Sequence, residues 1–173
     1  MKPIRIDVPF ATPWFQVVAK TLREGEDPWF SLQLPDYAAT IALTPEERVV
    51  LVRQYRPAVD RTTLELPSGL VDDDESPETA ARRELLEETG YEAAEVELLG
   101  ALFPDAGRLA NRIWCFVARN LRHVIEHSAE EGIEVVLVSP AELGQAISSG
   151  RFDHALHVAA VLLAVLQGKL ELR

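Results

Sequence analysis

The chain has 173 residues, 17 of them Lys or Arg and 28 Asp or Glu, for a formal net charge of −11. That length buries a core without staples, and 47% hydrophobic with 26% charged residues excludes a disordered chain. The acid excess argues against a nucleic-acid grip, which counterion release drives on basic surfaces, and the lone Cys115 excludes an internal disulfide.

In chain order, residues 1–45 are read as an N-terminal strand region. Phe15–Leu22, Tyr37–Leu43 and Arg48–Tyr55 are rich in β-branched and aromatic residues. Thr44-Pro45-Glu46-Glu47, between the last two, has hairpin-turn chemistry. Thr62–Leu66 is a further short strand that stops at Pro67-Ser68-Gly69. The period then changes. Ser76-Pro77-Glu78 supplies an N-cap, a proline at the first helical position and an acid in the first turn; Gly90 supplies the stop. A helix is predicted between them, over Pro77–Thr89. Strands follow over Glu95–Leu102, Arg112–Ala118 and Ile133–Val138, then helices over Pro140–Ser148 and His154–Gln167.

With no repeat, no linker and no regular βαβ alternation, this order predicts one domain over residues 1–173 and a mixed α/β (α+β) sandwich. The longest apolar run, Ala155–Leu166, is too short to span a bilayer, and the first ten residues lack the apolar core of a signal peptide. A soluble cytoplasmic protein that binds neither membrane nor nucleic acid is expected.

Chemistry concentrates in Gly69–Tyr91, GLVDDDESPETAARRELLEETGY. At about 100° per helical residue, Glu84, Glu87 and Glu88 share one face, while Leu85 and Leu86 point toward a sheet. Like charges so placed repel, and a divalent cation that prefers oxygen offsets the repulsion. Mg²⁺ typically takes one or two carboxylates with waters and substrate phosphates. The Pro67-Ser68-Gly69 loop can bring backbone carbonyls to the same spot. By the wheel alone, however, this is an ordinary amphipathic helix.

The full spacing decides otherwise. Gly69, five residues, Glu75, seven residues, Arg83-Glu84-Leu85, one residue, Glu87-Glu88, one residue, Gly90-Tyr91 fills every fixed position of GX5EX7REUXEEXGU. The segment resembles the Nudix box of the Nudix hydrolase superfamily. The resemblance implies an αβα sandwich around a mixed β-sheet and Mg²⁺- or Mn²⁺-dependent hydrolysis of a nucleoside diphosphate linked to a group X. It implies Glu84 and Glu88 as main metal ligands, Glu87 as a further one and Ser68 as a carbonyl ligand. Arg83 would hold a helix glutamate in place, and Glu75 and Gly69 would serve loop geometry and capping.

Val52-Arg53-Gln54-Tyr55-Arg56-Pro57 and Leu64-Glu65-Leu66-Pro67-Ser68-Gly69 are similar to the ADP-ribose pyrophosphatase branch, as are Glu131-Gly132-Ile133-Glu134-Val135 and Ser149-Gly150-Arg151-Phe152-Asp153. In that branch a glutamate before the last strand is base or extra ligand; Glu131 matches it best, then Glu130. The stretch Phe103–Arg108 departs from the branch pattern, and Ala129 stands where some members carry a second acid. These departures leave the identity of X open: ADP-ribose leads, with GDP-sugars or dinucleoside polyphosphates as alternatives and a non-catalytic nucleotide-binding module behind them.

Arg53, Arg56, Arg108 and Arg112 are candidate phosphate clamps, since guanidinium presents a planar fork to phosphate oxygens; each competes with the reading of a plain surface arginine. Trp14 and Trp29 could sandwich a base by stacking, against the commoner role of Trp in a core or interface. The family sometimes builds that clamp from both subunits, so the resemblance implies a homodimer through the N-terminal region. Trp114 is expected to pack. His154 and His157 could bind a metal but show no third ligand nearby in sequence, and Asp72–Glu75 lacks calcium-loop spacing.

Overall fold

The computed structural model describes residues 2–124 and 130–173; Ala129 lies outside them. In chain order the elements are β1 (Arg5–Ala11), β2 (Gln16–Thr21), β3 (Trp29–Gln33), β4 (Tyr37–Leu43), β5 (Val49–Arg56), β6 (Arg61–Glu65) and β7 (Ser68–Leu70). Then come α1 (Pro77–Thr89), β8 (Tyr91–Leu102), β9 (Ile113–His123), β10 (Glu134–Val138), α2 (Pro140–Ser148) and α3 (Ala155–Leu166).

Strands β1, β2 and β3 form a small antiparallel sheet. The others form a mixed sheet in the order β10-β5-β4-β9-β8, with β6 paired to β5 and β7 paired to β4. The β4–β9 pairing is parallel, Tyr37 opposite Ile113 through Ala42 opposite Ala118, and the rest are antiparallel. The predicted turn after β4 closes as expected: the Glu47 amide donates to the Thr44 carbonyl at 2.9 Å, with Glu47 at φ 57°.

Alternation along β4 sorts the core into two layers, as the period of two along a strand requires. Ala39, Ile41 and Leu43 turn toward Leu143 and Ala146 of α2 and Ala160, Val161 and Ala164 of α3. Ala38 packs with Ala80 and Ala81 of α1, and Ala42 with Leu85. Helix α1 thus covers one face and α2 and α3 the other, an αβα sandwich around a mixed sheet. Cys115 is a buried free thiol in the layer under α2 and α3.

Helix α1 runs as its end signals predict. Ser76 Oγ accepts the Thr79 amide at 3.1 Å, Pro77 opens the helix, and Gly90 at φ 73° returns its amide to the Leu86 carbonyl at 2.8 Å. The left-handed φ at Gly90 is one that a side chain would strain. Helix α2 matches its predicted bounds and adds a capping box between Ser139 and Glu142.

Several strands differ from expectation. β1 and β3 fall inside the strand region expected over residues 1–45 without having been delimited there, β7 is an addition, β8 starts at Tyr91 rather than Glu95, and β9 runs from Ile113 to His123. Early pairing of β8 reflects its partner: Tyr91, Glu92 and Ala93 lie opposite His123, Arg122 and Leu121. Among the described residues no helix is long and apolar enough to cross a membrane.

Candidate active site

The segment from β6 through β7 to α1 assembles one acidic centre. Ser68 on β7 donates its amide to Glu88 Oε2 at 2.8 Å, joining the short strand beside β4 to the last turn of α1. Glu84 lies one turn earlier, so close to the Gly69 backbone that a Cβ there would stand 2.0 Å from its carboxylate. Gly69 is therefore glycine for space: any side chain would push Glu84 away.

Arg83 organises the rim. Its guanidinium reaches Glu75 Oε1 at 2.6 Å, Glu84 Oε1 at 2.7 Å, Glu87 Oε2 at 3.0 Å and the Leu70 carbonyl at 3.0 Å. The expectation that Arg83 steadies a helix glutamate was too narrow, since one guanidinium draws three carboxylates together. Glu75 also accepts the Asp72 amide at 3.1 Å, so Asp72–Glu75 is clipped onto Arg83. That contact with Arg83 holds the Glu75 carboxyl below its usual range.

Glu88 is only 5% exposed, and burial pushes its carboxyl up to about 8, against the opposing pull of the Ser68 amide. Burial also raises Glu84, with the neighbouring charges of Glu87 and Glu130 adding to it against Arg83. Two carboxylates that resist ionisation side by side, with a backbone strand against them, fit a bound cation, which would favour the charged forms. An all-oxygen donor set with a carbonyl-bearing strand suits hard ions such as Mg²⁺ or Mn²⁺.

The loop before β10 closes on the same helix. The Glu130 amide donates to the Glu87 carbonyl at 3.2 Å, and the Glu130 charge is felt at Glu84. Glu131, placed first by sequence, is exposed in the adjoining turn.

The candidate arginines separate. Arg56 grips buried Glu65 with two hydrogen bonds of 2.9 and 2.8 Å, and its charge reaches Glu88. Arg53 spans both oxygens of Glu134 at 2.7 Å, across the β5–β10 pairing. Arg108 is exposed, 3.5 Å from Asp105, and Arg112 stacks over Phe103 at 4.5 Å. Of the four, Arg56 is the one tied to the acidic centre.

Trp29 is exposed, donates its indole N–H to the Gly107 carbonyl at 3.1 Å, and lines a recess of about 300 Å³ with Lys20, Phe103 and Arg108. Trp14, also exposed, lines a second recess against Leu70, Asp72 and Asp73. Among the described residues their rings do not meet, so a two-sided clamp from one chain is not formed. Trp114 packs as expected and donates to Asp36 Oδ2 at 2.9 Å.

Sequence reasoning missed one cluster. Glu65, His154 and His157 place ligand atoms within 4.8 Å of one another, supplying the third residue that sequence distance hid. At Glu65 and His157 the lone pairs are largely occupied, however. The Leu66 amide donates to His157 Nδ1 at 3.1 Å, leaving the ring proton on Nε2, while Glu65 accepts from Arg56 and Thr63. The two imidazoles stack face to face at 3.9 Å, which aims their in-plane nitrogens side by side rather than at one point. This cluster braces the end of β6.

Comparisons with known proteins identify the family. Residues 34–160 match the NUDIX domain family. The chain is 33% identical over 141 residues to the methanol dehydrogenase activator of Bacillus methanolicus, covering 79% of this chain and 76% of that one. It is 35% identical over 109 residues to the ADP-ribose pyrophosphatase of Bacillus subtilis, covering 61% and 58%, and 34% identical over 132 residues to the GDP-mannose pyrophosphatase of Klebsiella pneumoniae, covering 70% and 65%. A crystal structure of an ADP compounds hydrolase superposes with a TM-score of 0.77 at 22% identity, covering 98% of each chain, which speaks for the fold. The chain belongs to the Nudix family. Within it, this is a Nudix hydrolase similar to the ADP-ribose pyrophosphatases.

Proposed function

We propose that the chain hydrolyses the pyrophosphate bond of ADP-ribose or a related nucleoside diphosphate sugar with Mg²⁺ or Mn²⁺, giving a nucleoside monophosphate and a sugar phosphate. The observation that carries this is the pair of half-buried Glu84 and buried Glu88 held against Gly69 and Ser68, with Glu88 driven up to about 8 by burial. Glu84, Glu88 and Glu87 would hold the metal, with the Ser68 carbonyl beside them. A divalent ion held there would neutralise pyrophosphate charge and acidify a water.

The chain's own groups do the rest. Arg83 fixes the glutamates, and Arg56 offers its remaining N–H donors to a phosphate. A loop acid takes the water's proton, and Glu130 is supported over Glu131 by its amide contact with α1. Arg108 lies beside Trp29 on the nucleoside side, whereas Arg53, occupied by Glu134, is a weaker substrate contact. Trp14 and Trp29 would stack the base, completed by a second copy of the chain. A homodimer is supported by exposed Ile6, Val8, Phe10, Trp29 and Phe30 on the small N-terminal sheet, an apolar surface that a partner copy would cover; sedimentation checks it.

Similarity to a GDP-mannose pyrophosphatase favours GDP-sugars as the second reading. Product analysis with Mg²⁺ tests both, using ADP-ribose, GDP-mannose and diadenosine polyphosphates. AMP and ribose 5-phosphate formed fastest from ADP-ribose supports the first reading. Faster release of GMP moves the substrate and leaves the chemistry. A protein that binds these nucleotides and cleaves none of them overturns the proposal.

A further inference from the structure

One polar residue interrupts the hydrocarbon layer beneath α1. Side chains alternate between the two faces of a strand, so Ala38, Thr40 and Ala42 of β4 turn together toward that helix. Ala38 meets Ala80 and Ala81, and Ala42 meets Leu85. Thr40 stands between these contacts and is only 1% exposed. Phe116, its neighbour across the parallel pairing to β9, belongs to the same apolar layer.

The Thr40 hydroxyl has no hydrogen-bond partner among the described residues. Ser31 Oγ, Gln54 Nε2, Asn111 Oδ1 and His154 Nδ1 share that condition, but each belongs to a more exposed residue. Asn111 also keeps its other end on the Pro35 carbonyl at 3.1 Å. A buried hydroxyl without a partner costs stability, and valine has nearly the same shape without that cost. Valine also suits a strand at least as well as threonine. The fold therefore gains nothing from this oxygen.

Strand register sets the hydroxyl against the acidic centre. Thr40 donates its amide to the Pro67 carbonyl at 3.0 Å, while Ala39 lies opposite Ser68 and Ala38 opposite Gly69. Opposed residues of an antiparallel pair share a face, so Gly69 looks toward α1 as Ala38 does, and Glu84 rests on it there. Glu88, one turn on, accepts the amide of Ser68, the residue next to Pro67. Thr40 thus lies between the strand contacts of Ala81 and Leu85, under the stretch of α1 that carries Glu84 and Glu88. Among the described residues Ser68 is the one hydrogen-bond donor to Glu88.

We propose that Thr40 is a positioning residue of the acidic centre, whose hydroxyl is the second donor to the Glu88 carboxylate when that carboxylate holds a divalent cation. The assignment rests on the hydrolase reading above and adds to it a residue from outside the Gly69–Tyr91 segment. Each carboxylate oxygen has two lone pairs, so it can face a cation and accept a hydroxyl at once. Ser68 would hold the group from β7 and Thr40 from β4, and two donors fix a rotation that one leaves free. The adjustment needed at Thr40 is a turn about χ1 between staggered positions. A neutral hydroxyl also leaves the charge of Glu88 to the cation, whereas the guanidinium of Arg56 takes up that of Glu65.

Two substitutions separate the hydroxyl from the shape. Thr40→Val removes the oxygen and keeps the volume, while Thr40→Ser keeps the oxygen and removes a methyl group. The probe is Mn²⁺ alone, titrated into the whole protein with the free ion followed by electron paramagnetic resonance, beside thermal melts in chelator. Thr40→Val is expected to bind Mn²⁺ about tenfold more weakly, yet to melt in chelator at or above the temperature of the unaltered protein. Thr40→Ser is expected to do the reverse, holding Mn²⁺ within about twofold but melting lower, because a methyl-sized gap opens in a packed layer. A threonine that only fills space moves the melt and leaves the Mn²⁺ affinity alone. Thr40→Val with Mn²⁺ affinity within twofold of the unaltered protein therefore overturns the proposal and leaves the hydrolase reading standing. Equal weakening by both substitutions overturns it too, since packing rather than the hydroxyl would then set the affinity. An unaltered protein that takes up no Mn²⁺ strikes the metal-dependent reading itself, and this assignment falls with it.

Discussion

Glu65 and Glu88 are the same chemical group at nearly the same depth, 1% and 5% exposed, on either side of Ser68. They titrate in opposite directions. Burial pulls both upward, but Arg56 and Thr63 outweigh it at Glu65 and bring that carboxyl down to about 2, whereas Glu88 receives one amide hydrogen bond and rises to about 8. A carboxylate with its lone pairs matched by protein donors is a brace. One left under-compensated in the interior is a place where something charged is meant to arrive. The contrast also explains why two clusters of similar composition part company. Glu65, His154 and His157 lie within ligand range, yet guanidinium and hydroxyl donors already occupy Glu65 and an amide already occupies His157 Nδ1.

The strongest way to break this contrast is to neutralise the under-compensated member. Glu88→Gln keeps the shape and can keep the Ser68 amide contact through its carbonyl oxygen. It is expected to lower turnover at least a hundredfold, about 3 kcal/mol of transition-state stabilisation, while the fold persists. Steady-state kinetics with circular dichroism on the same preparation checks it. Turnover within threefold of the unaltered protein would remove Glu88 from the metal set. A smaller effect comes from steric displacement: Gly69→Ala places a methyl group 2.0 Å from the Glu84 carboxylate. Glu84 must turn aside, and an activity loss of at least tenfold is expected, together with a higher Mg²⁺ concentration for half-maximal rate. A normal Mg²⁺ dependence would mean that Glu84 need not sit against that backbone.

How much of this was legible in sequence follows from where the partners lie. Helix α1 and its three glutamates could be read because cap, period and motif all fall within one short segment, and local rules decide its ends. β1 was hidden by Pro9, which normally argues against a strand. The structure accommodates it at an edge, where the register to β2 shifts between Asp7 and Phe10. The bracing of Glu65 was invisible for another reason. Its Arg56 contact crosses the β5–β6 hairpin, and the His157 that supports the next residue sits 91 positions away from Leu66. Likewise the backbone contact from the Glu130 amide to α1, on which the proposed preference for Glu130 over Glu131 rests, is one that no spacing rule encodes.

The same two glutamates predict a pH dependence of stability in the metal-free protein, the smallest of these effects. The Glu88 pKa is raised in the folded state, from an ordinary 4.5 to about 8, so between those values the folded chain holds a proton that the unfolded chain has released. Stability must then fall as pH rises through that window. His157 acts with the opposite sign. Burial and His154 lower it from 6.5 to about 3, so the unfolded chain binds the extra proton and stability grows with pH until about 6.5. Glu65, lowered to about 2, loses its contribution only as pH falls below 4.5. Above pH 6.5 these two are silent and Glu88 dominates, with Glu84 raised in the same direction. Between pH 6.5 and 8 the loss is on the order of 1–2 kcal/mol, or about 2–6 °C in melting temperature for a chain of this size. Glu88→Gln is expected to flatten that slope, as is saturating Mg²⁺, which holds the ionised carboxylate in the folded state. Thermal melts at pH 6.5 and 8 in chelator, with and without the substitution, read the difference. A slope that survives Glu88→Gln unchanged would show that the under-compensated charge lies elsewhere, and with it the asymmetry between the two buried glutamates would fall.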